Sequence, residues 1–242
     1  MKIINGGNLV MNTYVYQAPC GYVMIDTGYE HSLCAVEKKL DRNGICLADI
    51  QYVFLTHAHD DHAGFLNELL SRNQHLKVIL SDKAMETLKR GQNSFDGGCS
   101  TLLAWAFCKL MGLVGKAEHR FPAIEEKYQG RFVEVTDINR PELEALLGGT
   151  IVETPGHTID SISLVTNRVI FCGDAAMNDF PSWKRLIIWI HDTVAFGASW
   201  DKLLQQEADL IYPAHGRPFP ICDLAKFRPS IEKVRLYPLK YV

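Results

Sequence analysis

Apolar and polar residues alternate along residues 1–27, with turn signals at Gly6-Gly7 and Pro19-Cys20-Gly21. A period of two broken in this way predicts an antiparallel opening sheet. A helix is expected near 31–42. The apolar run Val53-Phe54-Leu55 reads as a short buried strand, followed by a helix over about 62–71 and a strand over 77–80. Another helix should start near Ser81-Asp82, which supply an N-cap. Strands are expected again at 131–135, 150–154, 161–166, 169–173 and 209–213, with a helix at 198–207. Periodicity alone therefore predicts a mixed α and β chain.

Composition bounds what such a chain does. With 242 residues and 47% hydrophobic content it can bury a full core, and no linker, repeat or low-complexity run divides it, so one globular domain over 1–242 is expected. A formal net charge of −3 argues against general attraction to nucleic acid. The N-terminus lacks the basic start and apolar core of a signal peptide, which implies a cytoplasmic protein. Seven cysteines (Cys20, Cys34, Cys46, Cys99, Cys108, Cys172, Cys222) include no C-x-x-C pair. An odd, scattered set suggests reduced thiols.

The densest chemistry lies in Thr56-His57-Ala58-His59-Asp60-Asp61-His62-Ala63-Gly64, which packs three imidazoles and two carboxylates into the six positions from His57 to His62. The cluster leaves a predicted strand as a loop. Residues two apart on an extended loop project to the same side, so His57 and His59 can grip one ion while Asp61 and His62 turn towards a second. Four donors leave two metals undersaturated. Three more turns follow predicted strands downstream: Pro155-Gly156-His157-Thr158, Cys172-Gly173-Asp174 and Pro213-Ala214-His215-Gly216. A lone histidine after a strand is ordinarily structural, and a lone aspartate there is a turn or cap residue. Their joint occurrence after the His57 to His62 cluster favours ligands. Cys172 is expected in the core.

The order of these motifs resembles the metallo-β-lactamase superfamily, whose pattern is H-x-H-x-D-H followed by a separate His, an Asp and a last His. Met24-Ile25-Asp26-Thr27-Gly28 is similar to that family's early Asp motif. The resemblance covers nearly the whole chain. It implies an α+β fold, a four-layer αββα sandwich with metals at the sheet edge. It also implies a first site of His57, His59 and His157, a second of Asp61, His62 and His215, and Asp174 as a bridge. Asp26 would hydrogen-bond the ligand loop without touching metal.

Two divalent ions in such a cage, zinc in preference to iron or manganese, lower the pKa of bound water towards about 7. The reading is a dinuclear zinc hydrolase in which a metal-bound hydroxide, oriented by Asp61, attacks a carbonyl. Asp174 as bridge resembles the glyoxalase-II, lactonase and RNase-Z-like branches more than true β-lactamases. Only 27 residues follow His215 (242 − 215), too few for the helical domain that binds glutathione thioesters in glyoxalase II, and there is no room for the insert of nucleic-acid-processing members. His59 in place of Glu argues against a di-iron oxygen reductase. A small-molecule ester, lactone or thioester remains as substrate. The alternative is a mononuclear iron persulfide dioxygenase; a phosphodiesterase and a non-catalytic metal-binding module rank below it.

Two segments break the rhythm. Glycines frame a helical insertion at about 91–121 around the apolar run Leu102 to Cys108, which is too short to span a bilayer. For 99–115 a lid, a homodimer contact and a core helix are all open. The second segment, 181–190, carries Trp183 and Trp189, which line an apolar pocket or belong to the core. His31, His75, His119 and His191 fall outside the ligand pattern. The basic tail from Lys226 to Lys240, interrupted by Pro229, is expected as a final helix or packed extension in preference to an RNA-binding strip.

Overall fold

The computed structural model describes residues 1–115 and 118–239. The first elements are β1 (Ile3–Asn5), β2 (Tyr14–Ala18), β3 (Gly21–Ile25), α1 (Leu33–Asp41), β4 (Ile50–Phe54), α2 (Asp60–Ala63), α3 (Leu66–Arg72), β5 (Lys77–Ser81) and α4 (Met85–Arg90). Then come β6 (Gly98–Cys99), α5 (Leu102–Leu113), β7 (Phe132–Val135), α6 (Arg140–Leu147), β8 (Thr150–Glu153), β9 (Ile162–Thr166) and β10 (Val169–Gly173). The last are β11 (Trp189–Ile190), α7 (Thr193–Leu204), β12 (Leu210–Pro213), β13 (Phe219–Pro220) and α8 (Cys222–Ile231). Contacts divide the chain into two compact units, residues 1–93 with 120–151 and residues 94–119 with 152–242.

In the first unit six strands run in the order β1-β2-β3-β4-β5-β7. The β1–β2 and β2–β3 pairs are antiparallel, as the opening alternation predicts, and β3–β4, β4–β5 and β5–β7 are parallel. Parallel neighbours need crossovers. Helix α1 links β3 to β4, α2 and α3 link β4 to β5, and α4 lies between β5 and β7. One sheet face, through Met24, Val53, Leu55, Val78 and Leu80, shares a core with Leu33, Val36 and Leu40 of α1 and Leu66, Leu69 and Leu70 of α3. The helix expected over 62–71 is two pieces. The chain leaves helical geometry at Phe65 (φ −100°, ψ 17°), and Gly64 before it packs so closely that an added Cβ would meet the Glu30 nitrogen at 2.4 Å and the Gly28 oxygen at 2.6 Å. Helix α4 begins at Met85, later than the Ser81-Asp82 cap predicts, since Ser81 instead receives the Lys83 N–H in a turn.

In the second unit five strands run β13-β12-β10-β9-β8. Helices α7 and α8 contribute Phe196, Trp200, Leu203, Leu224 and Ile231 to a core with Val152, Ile170, Cys172 and Ile211. Helix α7 starts five residues before the predicted 198, because the Asp192 carboxylate caps it by accepting from the Val194 and Ala195 N–H groups at 2.8 and 3.0 Å. A second, two-stranded ribbon pairs β6 with β11, and Cys99 also bridges Tyr237. Helix α5, capped by the Thr101 hydroxyl, buries only Ala104 of its twelve residues. The core-helix reading of 99–115 is thereby excluded. A helix this apolar is ordinarily buried, and this one is not. Residues 116 and 117 of the 91–121 insertion, and Lys240 of the tail, lie outside the described residues. Pro229 sits inside α8, and Arg228 there grips Asp201 with two bonds of 2.7 Å. No helix among the described residues is long and apolar enough to cross a membrane, and the seven cysteines form no disulfide there.

Candidate metal centre

In the first unit the histidine cluster sits where β3 and β4 end, at the carboxyl edge of parallel strands where open sheets place ligands. Asp26, one residue past β3, is held in the left-handed region (φ 56°) by its N–H bond to the Phe54 oxygen at 3.0 Å. That turn aims its carboxylate at the loop after β4. Oδ1 accepts from the Thr56 N–H at 2.7 Å, and Oδ2 accepts from the Thr56 hydroxyl and from His62 Nδ1, both at 2.9 Å. Thr27 fixes the backbone of the same histidine, since its N–H and hydroxyl both donate to the His62 oxygen, at 2.8 and 2.7 Å.

These contacts settle the tautomers. A carboxylate only accepts, so His62 carries its proton on Nδ1. The single hydroxyl proton of Thr56 goes to Asp26, so its oxygen accepts from His57 Nδ1, 3.1 Å away. His57 and His62 thus both present the Nε2 lone pair, and a second-sphere contact of this kind is what orients ligating imidazoles. The rings converge, with His57 centred 4.6 Å from His59 and 3.9 Å from His62. All three Nε2 atoms are sealed from solvent. Asp61 is the most open of the four donors, its Oδ1 3.8 Å from His62 Nε2. Asp60 points elsewhere and exchanges two hydrogen bonds with Asn93, at 2.8 and 2.7 Å.

In the second unit His157, Asp174 and His215 follow β8, β10 and β12. Gly156 (φ 137°) lets the first turn approach the start of α7, since a Cβ there would lie 2.4 Å from the Phe196 backbone. His157 Nδ1 donates to the Trp189 oxygen at 2.7 Å, which leaves the lone pair on Nε2. A register shift between Phe171 and Gly173 against β12 bends the end of β10, and such bulges re-aim side chains. Asp174 consequently lies between two imidazoles. Its Oδ2 is 3.4 Å from His157 Nε2, and its Oδ1 is 3.4 Å from His215 Nε2. The Cys172 thiol turns away, towards the oxygens of Gly173 and Ala176, within the core.

The first unit therefore brings together His57, His59, Asp61 and His62, with Asp26 behind them, and the second brings together His157, Asp174 and His215. Imidazole and carboxylate donors without thiolate are the set that zinc and other first-row divalent ions accept. Thr27, Thr56 and the Trp189 carbonyl carry positioning roles that the sequence pattern did not single out. Trp183 is 70% exposed, which excludes the core for it, whereas Trp189 is half-buried and donates its indole N–H to the Asp96 oxygen at 2.8 Å.

Comparison with known proteins places this arrangement. Residues 6–215 match the family model described as Metallo-beta-lactamase superfamily. The probable metallo-hydrolase of Methanocaldococcus jannaschii is 25% identical, over 88% of this chain and 91% of its own. A linear primary-alkylsulfatase from a Pseudomonas strain is 26% identical over 84% of this chain, which spans 40% of that protein. Among solved structures, a metallo-beta-lactamase motif mutant from Cronobacter sakazakii has a TM-score of 0.67 at 19% identity, covering 96% of this chain and 89% of its own. An archaeal metallo-beta-lactamase superfamily protein from Sulfolobus tokodaii has a TM-score of 0.61 at 20% identity, covering 95% and 84%. These likenesses show the α+β sandwich fold expected from the resemblance. With a family model spanning most of its length, the chain belongs to the metallo-beta-lactamase superfamily of metallohydrolases.

Proposed function

We propose that the donors of the two units, His57, His59 and His157 with Asp61, His62 and His215 and a bridging Asp174, hold two divalent ions, zinc by preference, in one hydrolytic centre of a single domain. The observation that carries this reading is Asp174, whose two oxygens each face the Nε2 of a different histidine at 3.4 Å. One carboxylate shared between two imidazoles suits a bridge. The family match supports it too, because residues 6–215 include every donor. When bound, the ions would lower the pKa of a coordinated water and polarise a substrate carbonyl.

The chain's own groups do the rest. Asp26 and Thr56 hold His57 and His62 in one tautomer, and the Trp189 carbonyl does the same for His157. Asp61, the most open donor, orients the hydroxide that attacks. That hydroxide derives from water, and no acyl-enzyme forms. The substrate is a small-molecule ester, lactone or thioester. The test is metal analysis of the purified chain by inductively coupled plasma mass spectrometry, followed by a screen of lactones, thioesters and simple esters. Two zinc per chain with hydrolysis of one class supports the reading. One iron per chain with oxygen consumption on persulfides replaces it by a dioxygenase.

A further inference from the structure

Helix α5 carries Leu102-Leu103-Ala104-Trp105-Ala106-Phe107-Cys108-Lys109-Leu110-Met111-Gly112-Leu113, one charge in twelve residues, and buries only Ala104. Its exposed residues are not scattered. Leu103, Ala106, Leu110 and Leu113 are all exposed and fall at spacings of three, four and three, the pattern of a helix seam that packs into another helix. Leu102 and Val114 flank this seam, and exposure of the four leucines and Val114 runs from 48 to 85%. The patch continues beyond the helix, because the Phe107 ring packs edge-on to Phe180, itself 67% exposed, with centroids 6.0 Å apart.

The area decides what this face is for. Four leucines and Val114 at 48–85% exposure, with Phe180 at 67%, lay bare on the order of 500 Å² of apolar surface. That lies at the upper end of the roughly 300–600 Å² of the largest patch on an ordinary monomer, a size that is often functional, and it matches the apolar share, a little over half, of the ~800 Å² that each partner contributes to a stable interface. A membrane surface fits less well. Helices that lie on lipid pair an apolar face with a strongly basic one, whereas the only basic residue here, Lys109, folds back over the Trp105 ring at 5.7 Å.

We propose that α5 packs antiparallel against α5 of a second copy of this chain, closing a two-fold symmetric dimer. An isologous contact pairs residue i with j and j with i. On this seam the pairing sets Leu103 against Leu113, and Ala106 against Leu110, small opposite large. The proposal is independent of the metal reading, since it concerns an outer face of the second unit.

Sedimentation velocity on the purified full chain tests it. A dimer is expected, and Leu110→Glu is expected to weaken it by about 30-fold or more, the effect of losing a central interface anchor. Leu110 is 60% exposed, so the variant should fold, with circular dichroism as the check. Ile138→Glu, at a 94% exposed position on the other unit, should leave the dimer intact. Leu113→Glu alone should dissociate the dimer, and adding Leu103→Lys to it should restore association, because opposite charges then meet twice across the axis. A wild-type chain that stays monomeric at tens of micromolar overturns the proposal, as does a dimer indifferent to Leu110→Glu. A monomer that binds anionic phospholipid vesicles through α5 also overturns it and makes the face a lipid contact.

Discussion

Replacing Asp26 by Asn changes one atom in a site that is 1% exposed, and the hydrogen-bond inventory fixes the consequences. Asn keeps one acceptor oxygen, which serves the Thr56 N–H, and puts an NH₂ donor where Oδ2 stood. That NH₂ faces His62 Nδ1–H, donor against donor, and the conflict is relieved only if His62 moves its proton to Nε2. The Thr56 hydroxyl must then accept from the amide, so its proton turns towards His57 Nδ1 and pushes that ring's proton to Nε2 as well. One oxygen-to-nitrogen exchange therefore takes the metal-facing lone pair from two histidines. Exchanging two bonds to an ionised acceptor for two neutral ones in a dry site costs about 2–3 kcal/mol of stability, and metal affinity should fall about 10- to 100-fold. Urea unfolding of metal-free protein reads the first quantity. Competition with a chromophoric chelator reads the second, and long-range proton–nitrogen correlation on the histidine rings reads the tautomers directly. Asp26→Asn protein with wild-type metal affinity and Nδ1–H still on both rings would refute the reasoning.

Gly97→Ala should loosen His157 from a distance: a Cβ there would lie 2.1 Å from the Ile190 oxygen at a φ of +97°, so β6 and β11 must part and the Trp189 carbonyl shifts. An affinity loss of about tenfold is expected, and unchanged chelator competition would free the ribbon of that role. His57→Ala should lose bound metal and hydrolysis together, whereas Asp174→Ala should reduce the occupancy of both sites at once; zinc content and rate measured on the same samples distinguish a bridge from a ligand to one ion. A hydrogen bond from the Cys99 thiol, helped by His119, lowers the Cys108 pKa against the opposing effect of burial. More thiolate then exists near neutral pH, so mass spectrometry should find Cys108 alkylated well before Cys99, and Cys99→Ala should raise the Cys108 pKa and slow its labelling.

The parts of the molecule legible in the sequence are those whose cause is local. His57 to His62 lie within six positions, and the strand before them is an unbroken apolar run, so both the histidine loop and its place at a strand end could be read. The strands β9, β10 and β12 were legible for the same reason. Helix α6 also has its signals, Pro141 in the first turn and Gly148 as a left-handed cap, but at eight residues it is too short to display a clear apolar period. Strands β6 and β11 have two residues each and hence no period to read. Their existence depends on Gly97 and Gly98 permitting close backbone approach to Ile190 and Tyr237.

The roles of Thr27 and Thr56 were hidden for a different reason. A threonine beside a histidine has no pattern of its own; it acquires one when Asp26, thirty positions earlier than Thr56, is turned onto it by parallel pairing of β3 with β4. The same logic separates the proposed metal ligands from the groups that orient them. Ligands are recognisable by residue type, because few side chains bind divalent ions. Orienting groups are recognisable only by which proton they take, and that is a property of the fold. For α5 the sequence was legible and its usual reading failed. An apolar helix is normally interior because burial stabilises it, and the same free energy can be gained between two chains as within one.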